Sequence, residues 1–248
     1  MYLLIDIGNT RVKTAITDSY RILESFVEEA FDTDRILRMV RQHPGLKHAI
    51  VSSVRQADPA ILDRLRTGIE TILVLDHTTP LPFTLLYTTR DTLGNDRVAV
   101  VAGASSLFPS EDILVMDFGT AITYDFIDAS GVYHGGNISP GMKIRFMALH
   151  QFTGRLPLAE ESEQYPLLAT NTRDAVVAGV QQGIIFEAEK YIENLQSTYP
   201  ALKVIGTGGD ADFFAGRLKH PFIHRPDLIF TGLERILDFS IHKGTSGA

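Results

Sequence analysis

Residues 2–10 read YLLIDIGNT and residues 113–120 read ILVMDFGT. In both stretches an apolar run ends at an aspartate, Asp6 or Asp117, and a glycine follows two positions later. Two further segments with alternating polar and apolar residues come after each stretch, as in half-buried strands. An Asp-x-Gly match alone can be ordinary turn chemistry. The repeated context of strand, acidic turn, two more strands and then helices instead favours an internal duplication.

Outside these two stretches, strand and helix patterns alternate along the chain. This order is typical of a mixed sheet with helices packed on it. We therefore predict an α/β fold of two duplicated domains, the first over residues 1–110 and the second over 111–248. We also expect a connecting loop over 76–94, a last helix over 230–241 and a frayed tail over 244–248.

The composition excludes several classes of protein. The chain has 248 residues, with 30 acidic and 23 basic side chains and no cysteine. Without cysteine it has no disulfide, thiolate zinc site, iron–sulfur cluster or cysteine nucleophile. The net charge of −7 argues against binding to nucleic acid, which needs a basic surface. Because there is no basic leader and no apolar run of about 18 residues, we predict a soluble cytoplasmic protein that does not bind membranes.

The two acidic turns have the chemistry of a phosphate clamp. Glycine lets the backbone approach a phosphate closely, and an aspartate at a strand end can hold a metal ion directly or through water. One turn from each half, facing the other across a cleft, would grip a polyphosphate, and Lys13 would add positive charge. The sequence has no G-x-x-x-x-G-K-[ST] motif, which excludes a P-loop nucleotide site.

The segment GNDR at 94–97 opens a predicted helix over 95–107. In one interpretation Asn95 or Asp96 only caps this helix by accepting hydrogen bonds from N–H groups of its first turn. In the other interpretation Asp96 points into the cleft as an ionised general base. Arg97 would then hold a substrate carboxylate through two parallel hydrogen bonds.

Two glycine-rich segments have both a ligand-binding and a structural interpretation. Residues 135–141, GGNISPG, lie where a predicted strand meets a helix, and they can cradle a ligand or form a tight turn. Residues 206–211, GTGGDA, match a loose dinucleotide fingerprint but lack the βαβ continuation that it requires. A turn against an adenosine or ribose, or a purely structural turn, is favoured there.

Taken together, the motifs resemble those of the type III pantothenate kinases, in the actin/hexokinase/Hsp70 superfamily, over essentially the whole chain. The resemblance implies two ribonuclease-H-like domains with ATP in the cleft between them. It also implies transfer of the ATP γ-phosphoryl group to the terminal hydroxyl of pantothenate, the first step of coenzyme A synthesis. The motifs, in order, are DIGNT at 6–10, GNDR at 94–97, DFGT at 117–120, GGNISPG at 135–141, TRDA at 172–175 and GTGG at 206–209.

The resemblance further implies roles for individual residues. Asp96 would be the catalytic base, Asp117 would bind a monovalent cation, K+ or NH4+, and Thr120 would contact ATP. Mg2+ would accompany ATP, and members of the family are typically homodimers. The ATP phosphates would be bound by Asp6, Ile7, Gly8, Asn9, Thr10, Arg11, Val12 and Lys13, and pantothenate by Tyr87, Gly94, Asn95, Asp96, Arg97 and Thr172.

One departure from the family pattern and two alternative functions stay open at this point. Asn95 stands where small residues such as alanine or threonine are common. The chain could be another phosphotransferase or phosphohydrolase of the superfamily, acting on a sugar, acetate or polyphosphate. It could also be a non-catalytic regulatory protein on the same scaffold. Retention of Asp96 and Arg97 argues against this last alternative, and the acidic net charge argues against DNA binding.

Overall fold

The stretch at residues 2–10 forms the central strand of a first sheet. In the computed structural model, which describes residues 1–53 and 59–245, this sheet has five strands in the order β3-β2-β1-β4-β5. β1 pairs antiparallel with β2 and parallel with β4, while β2–β3 is antiparallel and β4–β5 parallel. The bounds are β1 Tyr2–Ile7, β2 Val12–Asp18, β3 Arg21–Glu28, β4 His48–Ser53 and β5 Thr71–Val74.

A second sheet repeats this topology around the stretch at residues 113–120. Over the described part of the chain its order is β11-β10-β7-β8-β9, followed by β6. β7 pairs antiparallel with β8 and parallel with β10, which is parallel to β11, as in the first sheet. The predicted duplicated α/β fold is therefore confirmed. The bounds are β6 Thr84–Leu85, β7 Ile113–Phe118, β8 Ala121–Ile127, β9 Val132–Pro140, β10 Lys203–Thr207 and β11 Ile223–His224.

Helices follow the strands in both halves, and their starts use local capping chemistry. The side chain of Asp32 accepts a hydrogen bond from the Arg35 backbone N–H at 2.9 Å, so it caps the first helix. Asn171 caps the longest described helix in the same way through the Asp174 N–H. The bounds are α1 Thr33–Gln42, α2 Pro59–Leu65, α3 Asn95–Leu107, α4 Met142–Phe152, α5 Thr172–Gln196, α6 Ala211–Phe214 and α7 Leu228–Thr245, with a short 3-10 helix at Arg90–Thr92.

The chain forms two compact units. The first contains Met1–Pro109, Gly131–Tyr133 and Asp227–Ala248, and the second contains Ser110–Ser130 and His134–Pro226. The last helix is therefore grouped with the first unit, although the sequence pattern counts it with residues 111–248. A domain boundary after residue 110 stays a prediction.

Each unit has its own apolar core. In the first unit Leu3 and Ile5 of β1 pack with Ile36 and Met39 of α1, which form the apolar stripe of that helix. Burial of such side chains is the main favourable contribution to folding. In the described ranges 1–53 and 59–245, no helix combines the length and hydropathy needed to cross a bilayer.

The structure corrects three local expectations. The predicted loop over 76–94 contains β6 and the short 3-10 helix. The sequence did not predict them, because two strand residues and a single turn are too short to show a periodic pattern. The last helix begins at Leu228 and continues through Gly244 to Thr245, so these two tail residues are helical. The remaining tail residues, 246–248, lie outside the described residues. α6 and β11 have four and two residues and were not expected from the sequence.

Two glycines allow α3 and α7 to pack in close contact, and this leads to a stability prediction. A Cβ on Gly232 would lie 1.7 Å from the Ala99 carbonyl oxygen, and one on Gly103 would lie 2.6 Å from the Leu228 carbonyl oxygen. Backbone atoms cannot move aside as a side chain can, so Gly232→Ala must separate the helices. We expect the free energy of unfolding to fall by about 1–3 kcal/mol in a urea titration.

Gly179→Ala in α5 is the matched control, because nothing lies within 4 Å of its Cβ position. Replacing a helical glycine in open space should raise stability by about 0.5–1 kcal/mol. Equal effects of the two substitutions would show that the Gly232 contact is not close in solution.

Candidate active site

Asp6 lies buried at the carboxyl end of β1, where three strands present side chains to one another. The register pairs Asp6 with Lys13 of β2 and with Ser52 of β4. The Ser52 hydroxyl donates a hydrogen bond to Asp6 Oδ1 at 3.0 Å, and only 5% of Asp6 is exposed. The equivalent partners of Asp117 in the second sheet are Thr123 and Thr207, so only the first unit places a lysine opposite the aspartate.

Burial dominates the electrostatics of Asp6. It raises the pKa of Asp6 to about 6, while Lys13 and the Ser52 hydroxyl act in the opposite direction and the Asp96 carboxylate makes a smaller upward contribution. Burying an ionised carboxylate is energetically unfavourable, and carboxylates with such raised pKa values are typical of functional sites. A divalent cation would favour the charged form, so Asp6 suits a role in holding one directly or through water.

This pKa shift predicts that Asp6→Asn stabilises the protein near neutral pH. The pKa lies above its usual value of 3.8, so the stabilising contribution of the protonated form is complete below about pH 3.8 and is lost as the pH rises through about 6. Asparagine does not ionise. At about pH 8 the free energy of unfolding of the variant should therefore exceed that of the wild type by about 1–3 kcal/mol. At about pH 4.5 the difference should be smaller.

Urea unfolding at the two pH values measures the effect. Asp63→Asn is the control, because the Asp63 side chain is 70% exposed and forms only a surface ion pair with Arg66. Its substitution should change stability by about 0.5 kcal/mol or less at either pH. A stabilisation by Asp6→Asn that does not grow with pH would contradict the assigned shift.

The turn after β1 exposes the groups needed to contact a phosphate. The Gly8 N–H donates to the Arg11 carbonyl oxygen at 3.0 Å and closes the turn. A Cβ at Gly8 would lie only 3.1 Å from that oxygen, which explains the glycine. Asn9, Thr10 and Arg11 of this turn are exposed.

Asp96 lies in the first turn of α3, at a helix start that fits it closely. Gly94 is the residue before the helix, and a Cβ there would lie 2.4 Å from Asp96 Oδ1. The same oxygen accepts a hydrogen bond from the Arg97 backbone N–H at 2.9 Å, and the side chain is half-buried. The helix dipole favours a negative charge at this end. Asp96 is thus a half-buried carboxylate held at the helix start by its hydrogen bond to the Arg97 N–H.

Arg97 is buried within an aromatic cluster, which the sequence did not predict. Its Nη2 donates to the Tyr133 hydroxyl at 3.1 Å, and its guanidinium lies 5.7 Å from the centre of the Tyr87 ring. Tyr87 and Tyr133 stack at a centroid distance of 6.4 Å. Tyr87 and Arg97, which the sequence assigns to one pocket, therefore meet in the first unit. Tyr133 carries no sequence signal of this role, because the contact depends on the pairing of Leu85 with Tyr133.

A cavity of about 290 Å³ adjoins the start of α3. Asn95 reaches its wall, but the side-chain amide of Asn95 donates to the carbonyl oxygens of Ser53 and Leu75. The cavity lining is polar and mixed in charge, and it comprises Ser53, Asp76, His77, Arg90, Asp91, Thr92, Leu93, Gly94 and Asn95.

In the second unit the turn after Asp117 packs on the segment of residues 206–209. A Cβ on Gly208 would lie 2.4 Å from Asp117 Oδ1, and the Gly208 φ of +96° favours glycine. The Asp210 N–H donates to the Phe118 carbonyl oxygen at 2.9 Å. Close packing on the acidic turn therefore explains Gly208, and the structural interpretation of this segment has direct support at that position.

The segment at 135–141 is a strand rather than a loop, since β9 continues to Pro140 and only Gly141 precedes α4. The Gly141 N–H donates to the Thr120 carbonyl oxygen at 3.0 Å, and a Cβ there would lie 2.4 Å from that oxygen. Gly136 similarly approaches the Tyr124 carbonyl. Close packing accounts for Gly136 and Gly141, and whether the segment also contacts a ligand stays a prediction.

The other predicted residues of the second unit are exposed. Thr120 is exposed at the turn after β7, and Thr172 is exposed as the first residue of α5. Their predicted contacts with ATP and pantothenate stay predictions.

Comparisons with known sequences point to a single family. The model of the type III pantothenate kinase family matches residues 2–194. A protein of Phocaeicola vulgatus named type III pantothenate kinase is 43% identical over 240 residues, which is 97% of this chain and 99% of the relative. A protein of Porphyromonas gingivalis with the same name is 40% identical over 242 residues, 96% of this chain and 98% of the relative.

Solved structures agree on the fold. A Campylobacter jejuni protein described as a Baf family transcriptional activator aligns with a TM-score of 0.63 and 25% identity, over 97% of this chain and 99% of that one. A Sinorhizobium meliloti protein described as a 2-dehydro-3-deoxygalactonokinase aligns with a TM-score of 0.60 and 13% identity, over 95% of this chain and 98% of that one. The second likeness concerns the fold alone, which is of the predicted actin/hexokinase type.

Proposed function

The chain belongs to the type III pantothenate kinase family, and on that premise we propose that Asp96 is the general base of its reaction. The enzyme transfers the γ-phosphoryl group of ATP to pantothenate, the first step of coenzyme A biosynthesis. The observation that carries the assignment is the half-buried carboxylate in the first turn of α3, close enough to Asp6 to raise its pKa.

In the proposed reaction Asp96 accepts the proton of the terminal hydroxyl of pantothenate. The hydroxyl oxygen forms the new bond to the γ-phosphorus, the bond from that phosphorus to the bridging oxygen breaks, and ADP leaves with the electron pair. Such a transfer needs alignment and charge neutralisation more than covalent chemistry from the protein. The fixed position of Asp96 supplies the alignment of the base.

We assign the ATP phosphates to the turn after β1. Exposed Asn9, Thr10 and Arg11 would contact them through backbone and side-chain donors, and Lys13 would add a charge beside Asp6. Mg2+ bound with ATP neutralises phosphate charge. Asp6 is the residue we expect to hold that ion, because its carboxylate lies at the carboxyl end of β1, next to the turn assigned to the phosphates.

We assign the carboxylate of pantothenate to the positive charge of Arg97, which is buried and donates from Nη2 to the Tyr133 hydroxyl. The substrate would approach this charge beside Tyr87, and Gly94 would lie in the same pocket. Thr172 would add a contact from α5. Loss of the Arg97 charge in Arg97→Gln should therefore raise the KM for pantothenate more than the KM for ATP.

We propose that Asp117 binds K+ or NH4+ in the second unit. Its carboxylate lies against the turn of Gly119 and Gly208, where backbone groups approach closely. The test compares rates in K+, NH4+ and Na+ at constant ionic strength. Stimulation by K+ that is lost in Asp117→Asn supports the site, and equal rates in all three salts would contradict it.

We propose a homodimer formed through an exposed apolar surface of the second unit. The Gln182 side chain of α5 donates to the carbonyl oxygens of Pro166 and Leu167, which places this loop beside the exposed Phe186. Exposed apolar patches of this kind mark association sites. We assign to this surface the exposed apolar side chains Ile144, Met147, Phe152, Leu167, Leu168 and Phe186 of the second unit.

Light scattering after size-exclusion chromatography tests the homodimer. Phe186→Glu should give monomers, whereas the same change at exposed Val27 in β3 should leave the dimer intact. Monomeric wild-type protein at micromolar concentration would contradict the proposal.

A panel of phosphoryl acceptors tests the proposed function as a whole. Coupled ADP release is measured with Mg-ATP and pantothenate, hexoses, acetate or polyphosphate. We expect turnover with pantothenate alone. Turnover with a different acceptor would favour another phosphotransferase, and no turnover with any of them would favour a regulatory protein.

A further inference from the structure

We propose that Asn95 is a positioning residue that fixes the general base Asp96, instead of the substrate contact that its place in the motif suggests. Asn95 is the first residue of α3, and its side chain is half-buried. Its Nδ2 lies 2.8 Å from the Leu75 carbonyl oxygen and 3.3 Å from that of Ser53. The inference rests on the proposed role of Asp96.

The two carbonyl groups lie at the carboxyl ends of β4 and β5, the same end of the first sheet at which Asp6 lies on β1. Ser53 ends β4 and directly follows Ser52, whose hydroxyl donates to Asp6. Leu75 follows β5, and its N–H donates to the Val51 carbonyl oxygen of β4 at 2.9 Å. The Asn95 amide thus ties the start of α3 to the strands that place Asp6, and so fixes the distance between the two aspartates.

Side chains of the first turn of α3 bond to two other parts of the first unit, since Arg97 donates to Tyr133 and Asn95 donates to the carbonyl groups at the ends of β4 and β5. Gly94, the capping residue, has no side chain, and no side-chain cap hydrogen bond forms at this end. A helix terminus without a cap leaves N–H groups unsatisfied and tends to fray. The Asn95 amide does not satisfy those N–H groups, but its two hydrogen bonds hold this end of the helix against the sheet.

The two acceptors also explain why the residue is asparagine. They fix the orientation of the amide, because both require a donor and only the NH2 group provides two. Aspartate at this position would place a carboxylate oxygen against two carbonyl oxygens. Alanine would remove both bonds without adding repulsion. Positioning therefore predicts that Asn95→Asp is the more harmful of the two substitutions.

Steady-state kinetics of Asn95→Ala and Asn95→Asp separate the two roles of Asn95. A positioning role predicts that kcat falls by about 10-fold in Asn95→Ala and by about 10²-fold in Asn95→Asp, with the KM for pantothenate changed by less than about threefold. A contact role predicts the reverse, a raised KM with kcat preserved. Asn194→Asp, at an exposed position near the end of α5, is the control and should leave both constants unchanged.

A double-mutant cycle with Asp96→Asn adds a measurement that general destabilisation would not affect. If Asn95 acts through Asp96, Asn95→Ala should lower kcat little further once Asp96 is already asparagine. Additive losses, or a raised KM for pantothenate alone, would overturn the inference. Should Asn95→Asp fail to fold, the cycle with Asn95→Ala decides. Near-normal turnover of Asp96→Asn by itself would instead overturn the proposed base.

Discussion

Asp96→Asn should lower kcat by about 10²–10⁴-fold and leave the fold intact, because general-base catalysis contributes about this much. Asparagine keeps the size of the side chain and can still accept the hydrogen bond from the Arg97 N–H. It cannot take up the proton of the pantothenate hydroxyl. Coupled ADP release measures turnover, and thermal unfolding and calorimetric binding of pantothenate test whether the site survives.

Asp63→Asn, an exposed aspartate of α2, is the matched control and should keep wild-type turnover. Loss of binding or of thermal stability in Asp96→Asn would assign the residue to capping, the other interpretation of its place at the helix start. Turnover within about twofold of wild type would remove Asp96 from the chemistry altogether.

Gly94→Ala should lower kcat by about 10²-fold through displacement of the Asp96 carboxylate. The new Cβ would lie 2.4 Å from Asp96 Oδ1, so the carboxylate must swing away. The backbone tolerates alanine here, since the Gly94 φ is −59°. Rotation of one side chain costs little, and we expect the free energy of unfolding to change by about 1 kcal/mol or less.

This pattern is the opposite of that expected for Gly232→Ala, where backbone atoms meet and stability falls. Comparing the two variants by kcat and by urea unfolding therefore separates a glycine needed for catalysis from one needed for packing. Gly179→Ala is the control for both variants, because a Cβ at that position would contact nothing. Wild-type kcat in Gly94→Ala would show that the carboxylate does not occupy the position seen here.

The strands, the duplication and α3 could be predicted from the sequence because their signals are local. The apolar run before Asp6 forms β1, and the same pattern before Asp117 forms β7. The predicted helix over 95–107 has those bounds in the structure. Hydrophobic periodicity and turn residues specify such elements without reference to the rest of the chain.

The supports of the site could not be predicted, because they depend on contacts between distant segments. Tyr133 reaches Arg97 only because Leu85 pairs with it in a strand of two residues. Nothing in the sequence around Asn95 indicates its hydrogen-bond partners, because the two acceptors are carbonyl groups at the ends of β4 and β5. The raised pKa of Asp6 likewise follows from burial, which the motif does not specify.

A crystal structure with pantothenate and a non-hydrolysable Mg-ATP analogue tests the central claim most directly. The measured quantity is the distance from the terminal hydroxyl oxygen of pantothenate to the nearer carboxylate oxygen of Asp96. A distance of about 2.6–3.2 Å, with the triphosphate on the turn after Asp6, is the predicted result. A hydroxyl more than about 5 Å from Asp96, or one paired with another carboxylate, would contradict the account.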